Sequence, residues 1–122
     1  MTRILVIDDS SFQRRIVTGI LKEAGYDLLV AENGREGLER AQEEAPALII
    51  TDLLMPEFDG FYLLNVARQC NLGIPVLVLT SDIQDSTRDQ CRTLGAAGVV
   101  NKPVKKEILL TAVTRALSGE RP

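Results

Sequence analysis

Five short apolar runs punctuate the chain: Ile4 to Ile7, Leu28 to Ala31, Ala47 to Thr51, Val76 to Thr80, and Val99 to Val100. Each is near-continuous rather than alternating, the pattern of strands covered by helices on both faces. Between the runs the apolar positions switch to helical spacing. Phe12, Ile16, Ile20 and Ala24 form one stripe, with Val17 and Leu21 beside it. Leu38, Ala41 and Ala45 form a second, and later stripes use Leu64 and Ala67, then Cys91 and Leu94, then Ile108, Ala112 and Ala116. Ser10 or Ser11, Asn33 and Asp59 are placed to cap helix starts, and Pro103 suits a first helical turn. Gly25, Gly95 and Gly119 stand where helices should stop. Strand and helix alternate five times, which predicts an α/β fold: a doubly wound five-stranded parallel sheet with five helices. No linker or repeat interrupts the pattern, so residues 1–122 read as one domain.

Composition narrows the chemistry more than the fold. The chain has 122 residues, 45% hydrophobic and 25% charged, an ordinary globular balance that buries a core without staples. Its net charge is −3 and no basic run tracks a nucleic-acid backbone, which argues against direct DNA or RNA binding. With no signal peptide and no long apolar run, the sequence predicts a soluble, cytoplasmic chain without membrane insertion. Cys70 and Cys91 form no CxxC pair and read as small apolar residues on helices. Histidine is absent, which removes Ser/His/Asp and Cys/His catalysis and every His-based metal site. Any chemistry must come from carboxylates, hydroxyls, lysine and backbone groups.

In an open parallel sheet, ligands bind at the carboxyl ends of the strands. Those ends carry Asp8 and Asp9 after the first run, Asp52 after the third, Thr80 and Ser81 after the fourth, and Lys102-Pro103 after the fifth. Singly, each reads as a solvated strand end; their gathering at one edge is what is specific. Three neighbouring carboxylates need a cation, and hard oxygen ligands suit Mg²⁺, which keeps room for waters and a phosphate. Lys102 supplies a fixed positive charge, and the Thr80 hydroxyl can donate to a phosphoryl oxygen. Phosphoryl transfer asks mainly for positioning and charge neutralisation, and an aspartate nucleophile forms an acyl phosphate.

These residues carry a resemblance that covers essentially the whole chain. Ile4-Leu-Val-Ile-Asp-Asp-Ser-Ser11, Asp52-Leu-Leu-Met-Pro-Glu-Phe-Asp-Gly60, Val76-Leu-Val-Leu-Thr-Ser81 and Gly95-Ala-Ala-Gly-Val-Val-Asn-Lys-Pro103 resemble the conserved segments of response-regulator receiver domains. The resemblance implies a flavodoxin-like fold with strand order 2-1-3-4-5. It implies Asp52 as phosphoacceptor, with Asp9 and Asp52 binding Mg²⁺ (or Mn²⁺) directly and Asp8 mostly through water. The backbone carbonyl of Leu54 would complete the protein ligands. Lys102 would pair with the phosphoryl group, Thr80 would swing toward it, and the Lys102-Pro103 bond would be cis. The partners implied are a sensor histidine kinase or phosphotransfer protein and a downstream protein. The domain would be the substrate of phosphorylation rather than a turnover enzyme.

Two positions depart from the family pattern. Val99 stands where many members carry Tyr or Phe, so a change of the loop after the fourth strand is expected to carry the signal instead. Leu54 is apolar where several chemotaxis members are polar, and Asp82 lies two residues after Thr80; both are expected to flank the approach of hydrolytic water. Two settings fit such a domain: a stand-alone regulator, or the amino-terminal receiver of a longer, for example DNA-binding, regulator. The segment Lys105 to Arg115 has only three cations and lacks the arginine-rich helix of dimerising winged-helix regulators, which favours the first. Ser118 to Pro122 fits either a natural end or a linker. A flavin or nucleotide carrier on the same fold is disfavoured, because Asp8 and Asp9 repel a phosphate that lacks a metal. An aspartate-nucleophile phosphatase would need a second acid where Leu54 stands.

Overall fold

The computed structural model describes residues 2–119; Met1 and residues 120–122, with the chain-end reading of Glu120 to Pro122, lie outside it. Five strands, β1 (Arg3–Ile7), β2 (Asp27–Ala31), β3 (Leu48–Asp52), β4 (Val76–Thr80) and β5 (Gly98–Asn101), alternate with five helices. These are α1 (Ser11–Glu23), α2 (Gly34–Glu44), α3 (Gly60–Gln69), α4 (Asp85–Thr93) and α5 (Lys106–Leu117). All pairings are parallel and the sheet order is β2-β1-β3-β4-β5, as the resemblance implied. The chain steps from β1 outward to β2, then returns past β1 to β3. That reversal opens a crevice between the carboxyl ends of β1 and β3, where an α/β sheet offers a ligand the most room.

Strand residues alternate between two cores because successive side chains point to opposite faces. Leu5, Ile7, Ile49 and Val78 pack with Leu38, Ala41, Leu63, Leu64 and Cys91 on the side of α2, α3 and α4. Ile4, Val6, Leu48, Ile50, Leu77 and Leu79 pack with Val17, Leu21, Leu109 and Val113 on the side of α1 and α5. The apolar stripe expected to bury α1 is therefore rotated. Val17 and Leu21 are the buried pair, whereas Phe12 and Ile16 are 66% and 38% exposed. In α5 the same shift buries Leu109, Val113 and Ala116 and leaves Ile108 exposed. Each helix offers apolar residues around more than one face, so spacing alone does not choose between adjacent stripes. Cys91 lies in the core, but Cys70 is exposed at the end of α3.

The helix ends follow local chemistry. Ser10, Asn33 and Asp59 accept hydrogen bonds from the backbone N–H groups of Gln13, Glu36 and Tyr62. Gly25, Gly95 and Gly119 follow α1, α4 and α5 with φ of 95°, 96° and 84°, conformations that favour glycine. Pro103, read as a first-turn proline, lies three residues before α5, and its bond to Lys102 is cis. The loop after β3 is pinned to the start of α2, where the Gly34 N–H donates to the Phe58 carbonyl at 2.7 Å. A Cβ on Gly34 would stand 2.2 Å from that oxygen, so only glycine permits the approach.

Gly34→Ala should lower stability by about 1–3 kcal/mol, read as a lower urea midpoint at unchanged slope, because backbone rather than a flexible side-chain tip must give way. Gly19→Ala, in α1 with nothing within 4 Å of the added methyl, should raise it by about 0.5–1 kcal/mol. Equal midpoints for the two variants would contradict the pinned loop.

Candidate functional site

The sheet brings the predicted acids together. Asp8 follows β1, its N–H bonded to the Ala31 carbonyl as if the strand continued, and Asp52 is the last residue of β3. With Asp9 they place one carboxylate oxygen each within 4.8 Å of one another. Asp8 is 2% and Asp52 8% exposed, while Asp9 faces solvent. The Lys102 ammonium, one residue past β5, stands 2.9 Å from Asp52 Oδ1 and 3.9 Å from Asp8 Oδ2. Gly60 closes the far end of the loop onto the Asp52 and Leu53 backbone so tightly that a Cβ would lie 2.9 Å from the Asp52 carbonyl oxygen. The acid is thus held by backbone on both sides.

Charge is poorly balanced in this crevice. Asp8 Oδ1 accepts from the Ser10 N–H at 3.0 Å, but its buried Oδ2 has no hydrogen-bond partner. Burial pushes the Asp8 carboxyl above its ordinary range, with the Asp52 and Asp9 charges adding to the effect. The Ser10 amide and Lys102 pull the other way. An acid whose folded pKa is raised costs stability at neutral pH. An orphaned, buried carboxylate oxygen amid three acids is the donor set that a hard divalent cation satisfies. The residues present therefore fit Mg²⁺.

Thr80, the last residue of β4, sits one position beyond Leu79, which is in register with Asp52. Its hydroxyl accepts from the Asp82 N–H at 3.1 Å, which leaves its own proton to donate. Leu54 lies two residues past Asp52 with its side chain 62% exposed. Asp82 faces elsewhere than expected. Its Oδ1 accepts from the Gln84 N–H at 2.9 Å and its Oδ2 from the Thr87 hydroxyl at 2.6 Å, fastening the start of α4. The Thr87 hydroxyl, then the Gln84 amide, hold its carboxyl below the ordinary range. This fastening is present above the unfolded carboxylate range and is lost as pH falls through the depressed folded value.

Three polar side chains at this edge escaped the sequence reading. Arg14 Nη1 donates to the Asp8 carbonyl at 2.6 Å, and its other arm lies 3.9 Å from Glu32. Nothing in the Arg14-Arg15 pair says which arginine turns inward until the buried face of α1 is known. Asn101 and Arg88 join each other and the loop after β4, and only the pairing of β5 with β4 reveals it.

Residues 4–114 match the family model described as the response regulator receiver domain. Protein PilH of Pseudomonas aeruginosa is 33% identical over 124 residues, covering 98% of this chain and 100% of that protein. The chemotaxis protein CheY of Bacillus subtilis is 30% identical over 117 residues, covering 95% and 98%. Among solved structures, chemotaxis protein CheY4 of Vibrio cholerae superposes with a TM-score of 0.89 at 33% identity, covering 95% and 98% of the two chains. Among the described residues, no helix is long and apolar enough to cross a membrane.

Replacing Asp8 with Asn should stabilise the metal-free protein by ~1 kcal/mol, because an amide removes one crowded charge and offers a donor to the acids. Thermal unfolding in chelator should show the gain, and added Mg²⁺ should raise the wild-type midpoint more than that of the variant. A lower midpoint for Asp8→Asn in chelator would show that the crowding is not costly.

Proposed function

The chain belongs to the response regulator receiver domain family, and from that membership we propose that Asp52 is its phosphoacceptor, fed by a phosphohistidine on a sensor kinase or phosphotransfer protein. A carboxylate oxygen of Asp52 attacks phosphorus; the P–N bond breaks, its electron pair stays on the imidazole nitrogen, and an acyl phosphate remains on the domain. Hydrolysis reverses the charge: water oxygen attacks phosphorus, the P–O bond to Asp52 breaks, and inorganic phosphate leaves with the carboxylate restored. The domain is itself modified and later reset, the behaviour of a switch rather than of a turnover enzyme. The observation that carries this reading is Asp52 at the strand end, within 2.9 Å of the Lys102 ammonium and beside Asp8 and Asp9.

Asp8, Asp9, Asp52 and the Leu54 carbonyl are the groups that would hold Mg²⁺, which when bound offsets charge on the phosphoryl oxygens. Lys102 releases Asp52 Oδ1 and pairs with the new phosphoryl oxygens, and Thr80 turns its proton to another of them. Orientation matters more than added reactivity here, because phosphoryl transfer leaves little covalent work to the protein. The chain resembles relatives that it covers over nearly their whole length, which supports a regulator working through protein contact. Acetyl phosphate with Mg²⁺ should add one phosphate to the intact mass, and Asp52→Asn should abolish the addition. Undiminished labelling of that variant sinks the assignment.

A protein donor must also bring its imidazole down onto Asp52, past whatever surrounds the crevice. Phe12 on the first turn of α1, Leu54 after β3 and Ile83 after β4 are 66%, 62% and 79% exposed. These apolar side chains sit at the same edge of the sheet as the acids. Phe12→Ser and Ile83→Ser should each slow transfer from a phosphohistidine protein about tenfold, equivalent to ~1.4 kcal/mol. Labelling by acetyl phosphate, which needs no docked surface, should stay at the wild-type rate. Equal losses with both donors would place the defect in the site rather than at a docking rim.

A further inference from the structure

We propose that Asn101 is a positioning residue that relays the state of the Asp52 site to α4; this rests on the phosphoacceptor reading above. Asn101 ends β5, in register with Thr80 and next to Lys102, the two residues that meet a phosphoryl group on Asp52. Its side-chain N–H₂ donates to the Asp82 carbonyl at 3.2 Å and to the Thr80 carbonyl at 3.4 Å. Its side-chain oxygen accepts a hydrogen bond from Arg88 Nη2, and Arg88 Nη1 reaches the Val99 carbonyl at 3.3 Å. A single amide thus uses its donor end on the loop after β4 and its acceptor end on the middle of α4. That division of labour needs both ends of an amide, and neither a carboxylate nor an aliphatic side chain supplies it.

The loop between these anchors has no slack. The Asp82 N–H holds the Thr80 hydroxyl, the Asp82 carbonyl holds Asn101, and the Asp82 carboxylate holds Gln84 and Thr87 at the start of α4. A phosphoryl group adds nearly two negative charges and three strong acceptor oxygens beside Thr80. Swinging the whole Thr80 side chain toward them, not its proton alone, withdraws its oxygen from the Asp82 N–H. Asp82 then shifts against Asn101, and through Arg88 the shift reaches α4. Val99, a half-buried aliphatic residue of β5, brings neither an aromatic ring nor a polar group to this face, so hydrogen bonds link Thr80 to the helix: Asp82 reaches its first turn through Thr87, and Asn101 reaches its middle through Arg88. Such a chain has two arrangements, one for each state of Thr80, which is what coupling between sites requires.

The test is amide hydrogen exchange across residues 81–93 in wild type, Asn101→Asp and Arg88→Met, with and without acetyl phosphate and Mg²⁺, with labelling of Asp52 checked by intact mass. Asn101→Asp keeps an acceptor for Arg88 but turns oxygens on the Thr80 and Asp82 carbonyls. Arg88→Met removes the other end at similar bulk, and carries the test should the first variant fail to fold. In wild type, phosphorylation should change exchange in α4 about fivefold or more, within the range of site-to-site couplings. In both variants Asp52 should label as in wild type while that ratio collapses toward one over residues 88–93, the stretch that Arg88 anchors, even where the first turn still responds through Thr87. A residue that merely staples the loop would alter exchange equally in both states and leave the ratio standing. A preserved ratio in the labelled variants therefore overturns the relay, as does a labelled wild type whose α4 does not respond. A wild-type chain that takes no phosphate overturns the phosphoacceptor reading and the relay with it.

Discussion

Three carboxylates share one end of this sheet, and two of them are almost shut off from water. Like charges so close cost free energy that hydrogen bonds and one ammonium only partly recover. Lys102 spends its short contact on Asp52 and reaches Asp8 only at 3.9 Å, so one buried oxygen of Asp8 is left without a partner. Such an imbalance persists only where surrounding structure imposes it. The imposition comes from backbone: β1 and β3 are paired neighbours, Gly60 closes onto Asp52, and Gly34 holds the loop from the other side. The two cores beneath supply the stability against which this unfavourable arrangement is set.

Much of this was legible in the sequence because the three central strands are almost wholly buried. Near-continuous apolar runs mark strands covered on both faces, and the groups that follow them must fall at one edge. Asp8, Asp9, Asp52, Thr80 and Lys102 could be gathered without coordinates for that reason. The helices were legible as helices but not in their rotation, since Phe12 and Val17 compete for the same burial and only contact with the sheet decides. Pro103 misled in another way. A proline suits a first helical turn, but here it completes a turn out of β5 and α5 begins at Lys106. Asp82 was read as flanking the approach of water, whereas nearby donors on its own chain, Gln84 and Thr87, claim its oxygens. Arg14, Arg88 and Asn101 were illegible because their roles depend on pairing across elements, which spacing along one segment does not encode.

The sheet also divides the interior. Residues of β4 and β5 alternate between a core shared with α2, α3 and α4 and another shared with α1 and α5. Val99 belongs with the first and Val100 with the second. Over the central strands, side chains on one face are kept from those on the other by the layer of backbone between them, and the two layers come together past the β5 edge, where Arg88 and Arg92 of α4 line one groove with Ile108 and Thr111 of α5. The domain therefore has something like a firewall through its middle. Substitutions in the core beneath α1 and α5 can repack that layer without repacking the core beneath α2 and α3, and the reverse holds as well. A lineage can revise one interior while keeping the other, which gives a small domain two separately adjustable layers.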